Sequence, residues 1–101
     1  MHQETRKLLT VITEAALESA LCEELIQLGA SGYTVTDARG RGSRGVRDAG
    51  WSSSGNIRIE VVCGEAIAAS IARHVSDKYY DNYAMILFES DIKVIRADKF
   101  A

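Results

Sequence analysis

An α+β sandwich of four strands and two helices, ordered β-α-β-β-α-β, is the fold class this sequence predicts. Three observations carry it. A β-branched apolar run at residues 8–13 and the apolar residues Ile57, Ile59, Val61 and Cys63 at every second position both have strand character. Each is followed directly by apolar residues at helical spacing. A glycine- and arginine-rich stretch, residues 38–56, separates two halves of similar plan.

Taken in order, LLTVIT at residues 8–13 reads as a strand buried on both faces. A helix is predicted over residues 14–28, with Thr13 as N-cap and Glu14 favourable to the helix dipole in the first turn. Leu17, Leu21, Leu25 and Leu28 form its stripe, Glu18, Glu23 and Glu24 take other faces, and Gly29 suits the C′ stop. YTVTD at residues 33–37 alternates as a second strand, with Tyr33 and Val35 on one face and Thr34 and Thr36 on the other.

Beyond the glycine–arginine stretch, Ile57, Ile59, Val61 and Cys63 share one face of the third strand, and Arg58 and Glu60 the opposite one. Gly64 turns the chain into a second helix over residues 65–79, striped by Ile67, Ile71, Val75 and Lys78 or Tyr79. DNY at residues 81–83 is turn-like, with Asn82 suited to positive φ. Residues 84–96 hold an apolar run, a polar break at residues 89–91 and a second apolar run, compatible with one bent strand or two short ones. The order is that of the ferredoxin-like split β-α-β fold, with both helices on one face of the sheet. Its edges and open face need covering, and self-association is the expected cover.

The chain has 101 residues, the size of one domain, and 47% hydrophobic with 26% charged residues is an ordinary globular balance. Its net charge of −2 conceals an asymmetry. Residues 38–56 carry four arginines against Asp48, so +3, which leaves −5 for the remainder. Positive charge concentrated on one loop suits a small anion better than a long polyanion. Cys22 and Cys63 have no metal-ligand spacing and fall in apolar elements, so buried, reduced thiols are expected. No signal-type run opens the chain and no apolar run has the length of a membrane span, so a cytoplasmic protein is expected.

The stretch at residues 38–56 is the candidate site. Residues 40–45 spell GxGxxG after a strand, yet no helix pattern follows, which excludes a dinucleotide fingerprint; no Lys-Ser/Thr pair follows to make a P-loop. What remains is an anion-binding loop. Gly40 and Gly42 allow close backbone approach, Ser43 offers a hydroxyl, and Arg44 and Arg47 can converge on one phosphate chain. Trp51, the lone tryptophan, is either a lid or partner contact, or folds back on its own domain. Catalysis has little support. His2 is terminal, His74 is expected to face solvent from the second helix, and no nucleophile–base arrangement is recognisable.

Two stretches carry a family resemblance: GASGYTVTDARGRGSRGVRDAG at residues 29–50 and KYYDNYAMILFESDIKVIRADKF at residues 78–100. With the β-α-β-β-α-β order, they make the chain resemble the PII-like signalling proteins over nearly its whole length. Within these it is most similar to the inorganic-carbon branch, which includes the partner of a cyanobacterial sodium–bicarbonate transporter and the carboxysome-associated PII proteins of proteobacteria. The resemblance implies a homotrimer with adenine nucleotides in the clefts between subunits. Residues 38–56 would be the flexible T-loop, presented to or withheld from a protein partner such as a bicarbonate transporter or a carboxysome component. It implies a site of Thr34, Gly40, Gly42, Ser43, Arg44 and Arg47, with the turn Asp81, Asn82, Tyr83 and Ala84 approaching the same cleft. Implied ligands are ADP and AMP, with ATP, cyclic AMP and bicarbonate as further candidates, and no metal. The chain departs from nitrogen-sensing relatives in three places. Its loop has no tyrosine for uridylylation, Gly42 and Ser43 stand where a 2-oxoglutarate-binding glutamine is found, and Asp81–Ala84 replaces a Gly-Asp-Gly-Lys turn. These departures point away from 2-oxoglutarate sensing. An acylphosphatase-like enzyme and an RNA-binding domain are the alternative readings of an arginine-bearing loop on such a fold.

Overall fold

The computed structural model describes residues 3–40 and 55–96; the predicted positions Gly42, Ser43, Arg44, Arg47, Trp51 and His2 lie outside the described residues. The described strands are β1 (Gln3–Glu14), β2 (Thr34–Ala38), β3 (Asn56–Cys63) and β4 (Met85–Ile95), and the helices are α1 (Glu18–Gln27) and α2 (Glu65–Tyr79). All neighbouring strands pair antiparallel, in the order β2-β3-β1-β4. The fold is the expected ferredoxin-like α+β sandwich, built from the two halves that the sequence pattern separates.

Alternation decides the core. On β3, Ile57, Ile59, Val61 and Cys63 are buried while the residues between them are half-buried. The register sets Val11 of β1 opposite Ile59 and Leu9 opposite Val61, so these residues share the helix-facing side. Leu21 and Leu25 of α1 and Ile71, Val75 and Tyr79 of α2 close over them. Both cysteines are buried free thiols in this core. Burial pushes each thiol above its ordinary value of 9.0, because a thiolate there would lose its hydration.

Several boundaries differ from the sequence pattern. The helix expected from residue 14 begins only at Glu18, because pairing holds β1 extended as far as Glu14 opposite Asn56. A short 3-10 turn, Ala15–Leu17, makes the transition, tied by the Ala15 N–H to the Gly55 carbonyl at 3.1 Å. Thr13 is therefore a strand residue and caps nothing; its hydroxyl donates to the Ala84 carbonyl at 3.2 Å. At its other end β1 starts at Gln3, five residues before its apolar run, because β4 pairs with it as far as Gln3 opposite Ile95. The polar break at residues 89–91 interrupts nothing. β4 is one strand, and Lys7 across the ladder holds Asp91 at 2.6 Å and reaches Glu89 at 3.9 Å.

Gly29 ends α1 as expected. With φ +110°, it lets its own N–H reach the Ile26 carbonyl at 3.1 Å and the Ala30 N–H reach the Leu25 carbonyl at 3.0 Å, the double bond of a Schellman stop. Asn82, by contrast, does not take positive φ; Arg96 is the non-glycine residue that does so among the described residues.

The second face of the sheet carries no helix. The ladder places Leu8, Thr10 and Ile12 there beside Ile86, Phe88 and Ile92 of β4, and Ile86 and Phe88 remain 53% and 45% exposed. Thr10 at the centre is 1% exposed, and its hydroxyl has no partner among the described residues. A monomer presents this apolar surface to water.

Candidate functional site

One end of the sheet collects the pieces that the sequence singles out. Ala38, the last residue of β2, pairs with Asn56, the first of β3, so the ends of the glycine–arginine stretch are held side by side. Asn56 also lies opposite Glu14, the last residue of β1, and Thr13 lies opposite Met85, the first of β4. The base of the stretch and the turn Asp81–Ala84 therefore occupy the same end. They are not adjacent within one chain: two strands intervene between β2 and β4, a separation of roughly 14 Å at about 4.8 Å per strand.

Of the predicted positions on β2 and its exit, Gly40 is described, and among the described residues nothing beyond its chain neighbours lies within 4 Å of where a Cβ would be. Thr34 begins β2, on the helix-free face opposite Glu60. It is four residues from Ala38, roughly 13 Å along the strand. The structure thus does not gather Thr34 with the other predicted residues. Asn56, at the root of the stretch, has a buried side-chain oxygen without a partner among the described residues.

The turn is better organised than its sequence suggests. The Tyr79 carbonyl accepts from the N–H groups of Asn82 at 3.1 Å and Tyr83 at 3.0 Å. The Tyr79 ring meets the Tyr83 ring edge-on, with centroids 5.7 Å apart. The Tyr80 hydroxyl accepts from the Leu87 N–H at 2.9 Å, folding the turn back against β4. Thr13 closes the far end through Ala84.

Tyr79 is itself held from below. Its hydroxyl donates to both oxygens of Glu24, at 3.0 and 2.9 Å. Lys78 Nζ lies 2.7 Å from Glu24 Oε2, and His74 Nε2 2.6 Å from Oε1. His74 is thus half-buried against α1 rather than directed into solvent as expected. Burial alone would raise the Glu24 carboxyl, but the bonds from Lys78, His74 and Tyr79 outweigh it and hold the group below its ordinary value of 4.5. The same contacts raise Lys78 through its bond to Glu24, while burial first and then the Glu24 bond raise Tyr79. Sequence reasoning missed this cluster because Glu24 and His74 are fifty residues apart. Its one visible trace was the spacing of His74 and Lys78 on a single helix face.

Among the described residues no group of three or more His, Cys, Asp or Glu is placed to hold a metal ion. Two surface grooves among the described residues, one lined by Arg73, His74 and Lys78 and the other by Glu23, Ile26 and Tyr33, include neither the turn nor the loop base. The loop base and the turn stand at one end of the sheet, apart from each other on a single chain.

Comparison with known proteins identifies the architecture. A protein from Thermus thermophilus, described as PII-like and signalling, is 40% identical, covers 100% of both chains and superposes with a TM-score of 0.87. CPII from Thiomonas intermedia K12, solved bound to ADP and bicarbonate, superposes with a TM-score of 0.86 at 24% identity, covering 99% of this chain and 98% of that one. The same protein bound to ADP, AMP and acetate gives 0.86 at 23% identity, with the same coverage. At that identity CPII shares the fold. The family model for nitrogen regulatory protein P-II matches residues 6–99, nearly the whole chain, and the chain belongs to this PII family.

Proposed function

We propose that this protein is a non-enzymatic, cytoplasmic adenine-nucleotide sensor of the inorganic-carbon branch, binding ADP or AMP, with bicarbonate as a co-ligand, between the subunits of a homotrimer. The observation that carries the reading is that the loop base and the Asp81–Ala84 turn share one end of the sheet, in a fold in which CPII was solved bound to ADP, AMP and bicarbonate. One subunit supplies Gly40, Gly42, Ser43, Arg44 and Arg47. The neighbouring subunit brings Asp81, Asn82, Tyr83 and Ala84 across the roughly 14 Å that separates the two regions within a chain. Thr34, on the helix-free face, meets the ligand from the other end of β2. The apolar face around Phe88 supports the trimer, since it is the surface a monomer leaves wet.

In this reading the arginines grip phosphate oxygens with charge-assisted forks, and the glycines let backbone N–H groups approach the same oxygens. A loop ordered by phosphate in one ligand state and released in another provides the two states that a switch requires. The partner that reads those states is a bicarbonate transporter or a carboxysome component. Membership of the PII family favours this over the acylphosphatase-like and RNA-binding alternatives.

The test is titration calorimetry of the native protein with ADP and AMP, each with and without bicarbonate, and with ATP and cyclic AMP as further arms. Micromolar binding of ADP or AMP, strengthened by bicarbonate, is the expected result. No heat with any nucleotide would overturn the reading.

A further inference from the structure

Three of the contacts that fasten the Asp81–Ala84 turn pass through Tyr79. Its carbonyl holds the N–H groups of Asn82 and Tyr83, its ring abuts Tyr83, and it is 4% exposed. The orientation of Tyr79 is in turn fixed by Glu24 of α1, which accepts its hydroxyl with both carboxylate oxygens. Glu24 is held by two further donors, Lys78 and His74. A carboxylate with three donors has few alternative placements, and so has the phenol bound to it. The chain of contacts runs from α1 through α2 into the turn, without any contribution from the turn's own side chains except Tyr83.

From this geometry we propose that Glu24, acting through Tyr79, is the positioning residue of the turn that contacts nucleotide. The inference rests on the nucleotide reading above for its consequence, though not for its mechanical part. Glu24 touches no ligand. It sets where the backbone of Asn82 and Tyr83 stands when a ligand arrives, and so reduces the ordering that binding requires.

The experiment has two arms. Amide hydrogen exchange, resolved by residue, is measured on the full chain as wild type, Glu24→Ala, Glu24→Gln and Tyr79→Phe, and each protein is titrated with ADP. Glu24→Ala is expected to speed exchange at Asn82 and Tyr83 by about tenfold, the loss of one hydrogen bond's constraint, while Val11 and Ile59 keep their protection. ADP affinity is expected to fall by a similar factor. Tyr79→Phe keeps the ring contact and should show the same changes to a smaller extent. Glu24→Gln, which still accepts from the Tyr79 hydroxyl, should restore most of the protection. Unchanged exchange at Asn82 and Tyr83 in both Glu24→Ala and Tyr79→Phe would overturn the proposal. So would an equal loss of protection at Val11 and Ile59, since that would be global destabilisation. If the wild type binds no ADP, the nucleotide reading falls, and the exchange arm still decides whether Glu24 positions the turn.

Discussion

Replacing Phe88 by alanine tests whether the helix-free sheet face is where subunits meet. Phe88 lies opposite Thr10 at the centre of that face and keeps 45% of its surface exposed in the single chain. A phenylalanine presents on the order of 200 Å², so about 90 Å² remains to be covered by a neighbour. At about 25 cal/mol per Å², that cover is worth about 2 kcal/mol per subunit. In the proposed trimer the contact would be made three times, giving about 6 kcal/mol, or roughly 10⁴- to 10⁵-fold in its association constant. Sedimentation equilibrium over a range of concentrations should find the wild type trimeric and Phe88→Ala shifted towards monomer. Circular dichroism of the variant should be unchanged, because the helix-facing core does not include Phe88. A variant with the wild-type association constant would refute the assignment of this face, and a monomeric wild type would refute the trimer itself.

Arg44→Ala and Arg47→Ala should each weaken ADP binding by about 10- to 100-fold, the loss of one charge-assisted hydrogen bond; calorimetry with an unchanged affinity would remove that arginine from the site. Gly29→Ala should cost about 1–2 kcal/mol for placing a side chain at positive φ. Its new Cβ would also stand 3.2 Å from Ile67 Cδ1, and an unshifted urea midpoint would contradict both arguments. Glu24 gives the acid limb of stability a definite sign. Its folded-state carboxyl is held below 4.5, so its contribution is complete above that pH and is lost as pH falls through the lower folded value. Urea midpoints measured from pH 6 to pH 3 should therefore fall more steeply for wild type than for Glu24→Gln, and parallel curves would count against the linkage. Cys22 and Cys63, buried and raised in pKa, should resist a thiol reagent in the native protein and react in urea.

Where local pattern and tertiary environment agree, the sequence was sufficient. The period-two alternation of Ile57, Ile59, Val61 and Cys63 identified a strand with one buried face, and the stripe of Ile71, Val75 and Tyr79 identified α2 with its observed bounds. Where pairing overrides propensity, it was not. Thr13 and Glu14 have good helix-start chemistry, but the ladder with Asn56 claims them as strand. Glu89 and Asp91 look like a break because their partner, Lys7, is more than eighty residues away. The candidate site was legible in the same uneven way. Arg44 and Arg47 are proposed from glycine context and charge density, a property of a continuous segment, and lie outside the described residues. That the loop base and the turn share one sheet end follows only from register. The Glu24 cluster joins two helices that no short motif links.

The Tyr80 hydroxyl has a further consequence beyond shaping the turn. β4 is an edge strand of eleven residues, and outward N–H groups on such an edge are a template for another chain to add a strand. By accepting from the Leu87 N–H, Tyr80 occupies one of those groups near the most apolar part of the edge. Further along, the charges of Glu89, Asp91 and Lys93 discourage a flat hydrophobic partner. The opposite edge, β2, is only five residues long and offers little to copy. Both described edges thus offer little template for strand addition, which leaves the helix-free face as the surface that association would use.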